Sequence, residues 1–113
     1  MSTRPILRAR AAASPTELVT LAVKRRLCLS ATYNRNQIRL APHALYTKHD
    51  EWHVDGVVLE RDGQAPRELK LGTFKLTGLK ALALTAVPFA PEPLFDPQAE
   101  RYGEDALRVA AQA

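Results

Sequence analysis

Residues 27–40 read LCLSATYNRNQIRL, and this stretch decides the fold. Leu27, Leu29, Ala31 and Tyr33 alternate with Cys28, Ser30 and Thr32. A period of two is that of a strand with one face turned inward. Asn34-Arg35-Asn36 supplies a turn, and Gln37 to Leu40 resumes the alternation with Ile38 and Leu40 on one face. Pro42 then limits this second strand, because proline has no N–H to give to a ladder.

Upstream the period changes. Ser14-Pro15-Thr16-Glu17 is a helix start. Ser14 can accept from the backbone N–H of Glu17, Glu17 can reach back to the Ser14 N–H, and proline suits the first helical position. Leu18, Leu21 and Ala22 share a face, with Val19 and Val23 beside it. Lys24, Arg25 and Arg26 sit in the last turn, where cations suit the helix dipole. The helix is expected to end near Arg26 or Leu27.

Downstream, Ala44 to Thr47 reads as a short third strand, Lys48 to Glu51 as a polar turn, and Trp52 to Leu59 as a further strand. Asp62-Gly63 is a hairpin signal. Arg67 to Leu76 alternates through Leu69 and Leu71, with Gly72 marking a bulge or bend. Leu79 to Thr85 is the last strand. Short strands at close spacing, with one helix, predict a small barrel or strongly bent sheet. Pro88, Pro91, Pro93 and Pro97 then open a Pro-rich segment that cannot be a regular central strand or helix. Its Phe89, Leu94 and Phe95 suit a chain running over the barrel. Asp96-Pro97 would open a short final helix, with Ala106, Leu107 and Ala110 along one side. The expected organisation is a basic tail (residues 1–13), one domain (14–89) and a C-terminal extension (90–113).

The 113 residues make one domain, too few for separate cofactor and substrate lobes. Hydrophobic residues at 46% and charged residues at 25% are those of a globular chain and argue against wholesale disorder. The longest apolar candidate, Leu79 to Phe89, is broken by Lys80 and Pro88, so no membrane span is expected. The arginines near the start lack the apolar segment of a secretory signal. The single cysteine, Cys28, excludes an internal disulfide and every multi-cysteine metal motif, which suits a cytoplasmic, reducing compartment. Up to Lys48 there are nine basic residues and one acid, a net of +8, while the remainder carries −4. Such asymmetry suits an anionic partner, nucleic acid being the usual one, and equally a solvated basic face.

The run from Leu21 to Phe89 resembles a WYL domain. LAVKRRLCLSATY (residues 21–33) is similar to the family's opening helix and first strand. Arg39-Leu40-Ala41-Pro42 is similar to its Arg-x-x-Pro step. Glu51-Trp52-His53-Val54-Asp55-Gly56 stands where Trp-Tyr-Leu and a glycine are expected, and Phe74-Lys75-Leu76-Thr77-Gly78-Leu79 stands where members often read Phe-Arg-Leu-Asp-Arg-Ile. Trp52 is kept, His53 and Val54 replace the tyrosine and leucine, and Gly78 replaces an arginine. The resemblance implies a mainly β fold, a small Sm-like, SH3-type barrel of about five strands with one N-terminal helix. It also implies ligand sensing in regulation by a basic, aromatic-lined patch. The ligand would be a nucleotide or single-stranded nucleic acid. Guanidinium pairs with phosphate, and an aromatic face stacks on a base. The residues before Ser14 cannot hold the helix-turn-helix that most members carry, so a stand-alone member is expected.

The residues expected to bind ligand are Arg39, Trp52, His53 and Arg67, with Lys75 a further source of charge. Each has a second reading. Arg39 would otherwise pair with a strand-edge carboxylate such as Glu68, Trp52 would be a core residue, and His53 a half-exposed strand residue. A zinc site would need His43, His49 and His53 to converge with Asp50 or Asp55, an arrangement that the turn between His49 and His53 opposes. There is no Gly-rich phosphate loop, paired-carboxylate helix or nucleophile elbow. The expectation is therefore a non-enzymatic module without cofactor. The alternative function is a protein-interaction or oligomerisation module, a homodimer or the companion of a regulatory protein, that has lost the family's ligand site.

Overall fold

The computed structural model describes residues 13–109. Helix α1 (Pro15–Arg25) opens with the expected capping box: Glu17 N–H donates to Ser14 Oγ at 3.1 Å, and Ser14 N–H to Glu17 Oε1 at 2.8 Å. Arg26 closes it in the left-handed region, φ 56°. Its buried Val19, Ala22 and Val23 pack on the sheet.

Six strands follow: β1 (Leu27–Tyr33), β2 (Asn36–Lys48), β3 (Glu51–Arg61), β4 (Leu71–Lys75), β5 (Lys80–Pro88) and β6 (Leu107–Arg108). The first five form an antiparallel sheet in the order β4-β3-β2-β1-β5, with β6 added to β2. β5 returns to β1, and the fold is mainly β, one antiparallel sheet with one helix. A 3₁₀ turn, Leu76–Gly78, lies between β4 and β5. The core joins Val19 and Val23 of the helix to Leu29, Ile38, Leu40, Val54, Phe74 and Leu79.

Turn chemistry sets the ladder. Asn34 and Arg35, His49 and Asp50, and Asp62 and Gly63 each form a consecutive pair at positive φ. Such pairs match the twist of the flanking strands, and Asn, Asp and Gly tolerate the left-handed region. Asp62 Oδ1 also accepts from Gln37 N–H at 2.9 Å, which ties the third turn to the start of β2.

Four expectations fail. Pro42 does not end a strand; residues 36–48 form one long strand with an irregularity between Pro42 and Ala44. β1 pairs with β2 as far as Leu40 and β6 begins at Ala44, so a missing N–H on that edge breaks no pairing. Opposite Pro42 stands Gly56, whose added Cβ would lie 2.7 Å from Ala41 O. Next, the strand expected over Arg67 to Leu76 starts only at Leu71. After the single bridge of Gln64 to Arg61, residues 64–70 are irregular and exposed around Pro66. Gly72 is no bulge either. It pairs in register with Gly56, and its missing side chain leaves room for the Phe74 ring, which an added Cβ would meet at 3.3 Å. Finally, residues 96–105 make turns, and Leu107 joins β6 in place of the expected helix, whose Ala110 lies outside the described residues. The expected basic tail lies outside the described residues except for Ala13.

Candidate functional site

The four residues expected to bind ligand occupy three places. Arg39 lies on β2 opposite Glu60, and its Nη1 meets Glu60 Oε2 at 3.0 Å, each side chain 38% exposed. It pairs with Glu60, not Glu68. Trp52 and His53 stand at the other end of the same ladder, where Tyr46 faces His53 and Thr47 faces Trp52. From Arg39 to Tyr46 is on the order of 20 Å of strand. Trp52 is 45% exposed at the hairpin tip, so it is not the core residue of the second reading. His53 stacks on Tyr46, ring centroids 5.7 Å apart, with its Nδ1 3.1 Å from Glu51 O. Lys75 stands opposite His53, 3.6 Å from Glu51 Oε1. Arg67 belongs to the irregular loop after β3.

That loop forms a groove of about 500 Å³ lined by Val58, Arg61, Pro66, Arg67, Glu68, Lys70, Gly72 and Phe74. It exists because β4 covers β3 only as far as Val57, so the end of β3 projects past its neighbour. Three cations and one acid face an apolar floor. With the Asn36 amide turned to satisfy both neighbours, its oxygen accepts from Arg61 Nη1 at 3.3 Å. The side chains of Arg67 and Lys70 have no ion-pair or hydrogen-bond partner among the described residues. Arg61 and Lys70 escaped the sequence reading, because the expected strand over residues 67–76 did not allow for a loop that gathers them.

A second polar cluster lies under the C-terminal segment. Asp55 on β3 is fully buried. Its Oδ1 accepts from Tyr46 Oη and Thr73 Oγ1, both at 2.8 Å. Its Oδ2 accepts from Arg101 Nε at 2.9 Å and from the Tyr102 hydroxyl. Burial alone would raise the carboxyl's pKa; the bonds from Tyr102, Tyr46, Thr73 and Arg101 together hold it below the ordinary value. Burial, then the bond to Asp55, pushes Tyr46 up to about 12 and Tyr102 higher still. All four acceptor directions are used, so the cluster holds structure and offers no base. A charged residue inside the apolar run of residues 52–59 was its sequence signal.

His43 is also buried, between the rings of Phe89 and Phe95 at 5.0 and 5.3 Å. Among the described residues no three His, Cys, Asp or Glu side chains gather to hold a metal. Cys28 is buried, and burial pushes its thiol up, away from nucleophilic character. No helix among the described residues is long and apolar enough to cross a membrane. Comparison with protein-family models, with curated proteins and with solved structures finds no match to this chain.

Proposed function

We propose that this protein is a non-enzymatic, WYL-like sensing module whose loop groove binds the phosphates of a nucleotide-type ligand or single-stranded oligonucleotide. The observation that carries the reading is the set Arg61, Arg67 and Lys70 around one concave, apolar-floored surface, against the single acid Glu68. None of the three cations has an ion-pair partner among the described residues, and Arg67 and Lys70 have no side-chain hydrogen bond either. Guanidinium and ammonium groups left in this way are suited to phosphate, and the apolar floor suits the sugar or base. The basic first half of the chain adds a field that would draw an anion in. Trp52 and His53 lie too far along the ladder to touch the same nucleotide; on a longer strand they would stack a separate base. A lone, buried cysteine accords with a cytoplasmic setting.

The test is fluorescence anisotropy with a labelled single-stranded DNA oligomer at low and moderate salt, with duplex DNA, RNA and mononucleotides as competitors. Saturable binding that weakens with salt is expected. Arg67→Ala with Lys70→Ala should weaken it roughly tenfold per cation, about 1.4 kcal/mol each. Unchanged affinity in the double variant rejects this groove.

One observation favours the interaction module instead. β5 is an end strand of the sheet, paired only with β1 among the described residues, and such an edge can pair with another chain. A concentration-dependent dimer in sedimentation, with no oligonucleotide binding, would carry that reading.

A further inference from the structure

The C-terminal segment, residues 89–109, is tied by backbone bonds at its ends, Phe89 N–H to Arg26 O and β6 to β2, and between them by two polar side chains, Asp55 and His43. The second changes character with one proton. His43 Nδ1 lies 2.8 Å from Ala41 O, a carbonyl that only accepts, so Nδ1 carries hydrogen. Its Nε2 lies 3.0 Å from Glu92 N, a backbone N–H that only donates, so Nε2 is bare. Both neighbours thus fix a neutral ring in one tautomer. A second proton would sit on Nε2 and point at the Glu92 N–H. Donor would face donor, inside a fully buried site walled by Phe89 and Phe95.

We propose that residues 89–109 form a two-stage strap, in which the neutral His43 ring holds the stretch from Phe89 to Phe95 and its protonation releases that stretch. Asp55 meanwhile keeps its hold on Arg101 and Tyr102. The charged group facing the ring from the strap is Glu92, whose carboxylate favours the imidazolium. From β2 the ring meets the Ala41 carbonyl, which acts in the same direction. Arg101 is turned to Asp55, and Arg108 to the carbonyls of Pro97, Tyr102, Gly103 and Ala106. Burial outweighs both favourable contacts and holds His43 below the usual 6.5.

The sign follows from linkage. The released ring takes a proton near 6.5, the docked ring only lower, so docking is complete above 6.5. It weakens as pH falls from there to the docked value, by at most about tenfold per pH unit. The Asp55 anchor works in another window. Its docked pKa lies below 3.8, so its contribution survives until pH falls under that value. Between the two windows the strap is open at Glu92 and still tethered at Arg101.

Amide hydrogen exchange of the full chain, followed by NMR from pH 7.5 to 5 and corrected for intrinsic rates, tests this. Protection at the Glu92 amide should fall by up to tenfold per unit below pH 6.5, while the Leu40 amide keeps its protection. The ¹⁵N shifts of His43 should report the Nδ1–H tautomer at pH 7.5 and its loss over the same interval. His43→Gln should flatten the Glu92 profile, whether it docks the stretch at every pH or at none; a profile like that of the wild type overturns the proposal. In the wild-type chain, Glu92 protection that ignores His43 titration overturns it, as does parallel loss at Leu40.

Discussion

Asp55 and the loop groove are both polar, and they are built in opposite ways. Around Asp55 every acceptor direction is filled, from four side chains on β2, β4 and the C-terminal segment. Around Arg67 and Lys70 nothing among the described residues answers the charge, and residues 61–70 are all exposed. A buried charge must be satisfied by its own protein or it costs several kcal/mol. An exposed cation carries no such demand and remains available to a ligand. The difference gives one region to stability and leaves the other free for the recognition proposed above, and it can be broken from either side.

The largest effect is expected from Asp55→Ala. It would leave the Tyr46 and Tyr102 hydroxyls and the Arg101 guanidinium without their acceptor. Removing one member of a buried charged set costs roughly 3–5 kcal/mol, so urea denaturation should show a loss of that size. A loss under about 1 kcal/mol would mean that water replaces the carboxylate and the cluster is not a structural anchor. The milder Asp55→Asn sharpens the same point through pH. The wild-type contribution is present above pH 3.8 and lost as pH falls through the lower docked value. In the Asn variant that acid limb of the stability curve should flatten.

Gly56→Ala comes next. The new Cβ would lie 2.7 Å from Ala41 O and 3.0 Å from Leu40 Cδ1, a clash with backbone that no side-chain rotation relieves. Overpacking of this kind costs typically about 1–3 kcal/mol. Gly72→Ala meets only the edge of the Phe74 ring at 3.3 Å and should cost less. Equal losses in the two variants, measured by thermal unfolding, would show that the β2–β3 ladder shifts to accept the methyl group.

The mainly β fold was largely legible because its signals are local. The capping box, the alternation of residues 27–40 and the Asn-, Asp- and Gly-containing turns each act within a few residues. Pro42 and Gly72 misled because their roles are set across the sheet. Pro42 depends on where β1 stops and β6 starts, and Gly72 on the ring of Phe74 and on Gly56 opposite. The site was less legible for the same reason. Arg39, Trp52, His53 and Arg67 read as one patch in the chain, but strand register sets Arg39 and the Trp52–His53 pair at opposite ends of the β2–β3 ladder, and Arg67 lies in the loop after β3. Arg61 and Lys70 meet Arg67 only because β4 begins late, which the alternation of Leu69 and Leu71 concealed. His43 enters the sequence reading only as a would-be zinc ligand; its burial comes from Phe89 and Phe95, far along the chain.

The smallest effect is expected from the groove itself. Arg67→Ala with Lys70→Ala removes two exposed cations that make no side-chain hydrogen bond or ion pair among the described residues. Substitutions away from buried or bonded features usually change stability by no more than about 0.5 kcal/mol. The double variant should therefore unfold in urea at nearly the wild-type midpoint, while losing the oligonucleotide affinity proposed for the groove. A slight gain in stability fits as well, since Arg61, Arg67 and Lys70 repel one another across the groove with only Glu68 to offset them. A stability loss above 1 kcal/mol would place these cations in the architecture and erase the contrast with Asp55. Stability kept and affinity lost would separate the two regions cleanly, because no substitution at Asp55 can give that pair of results.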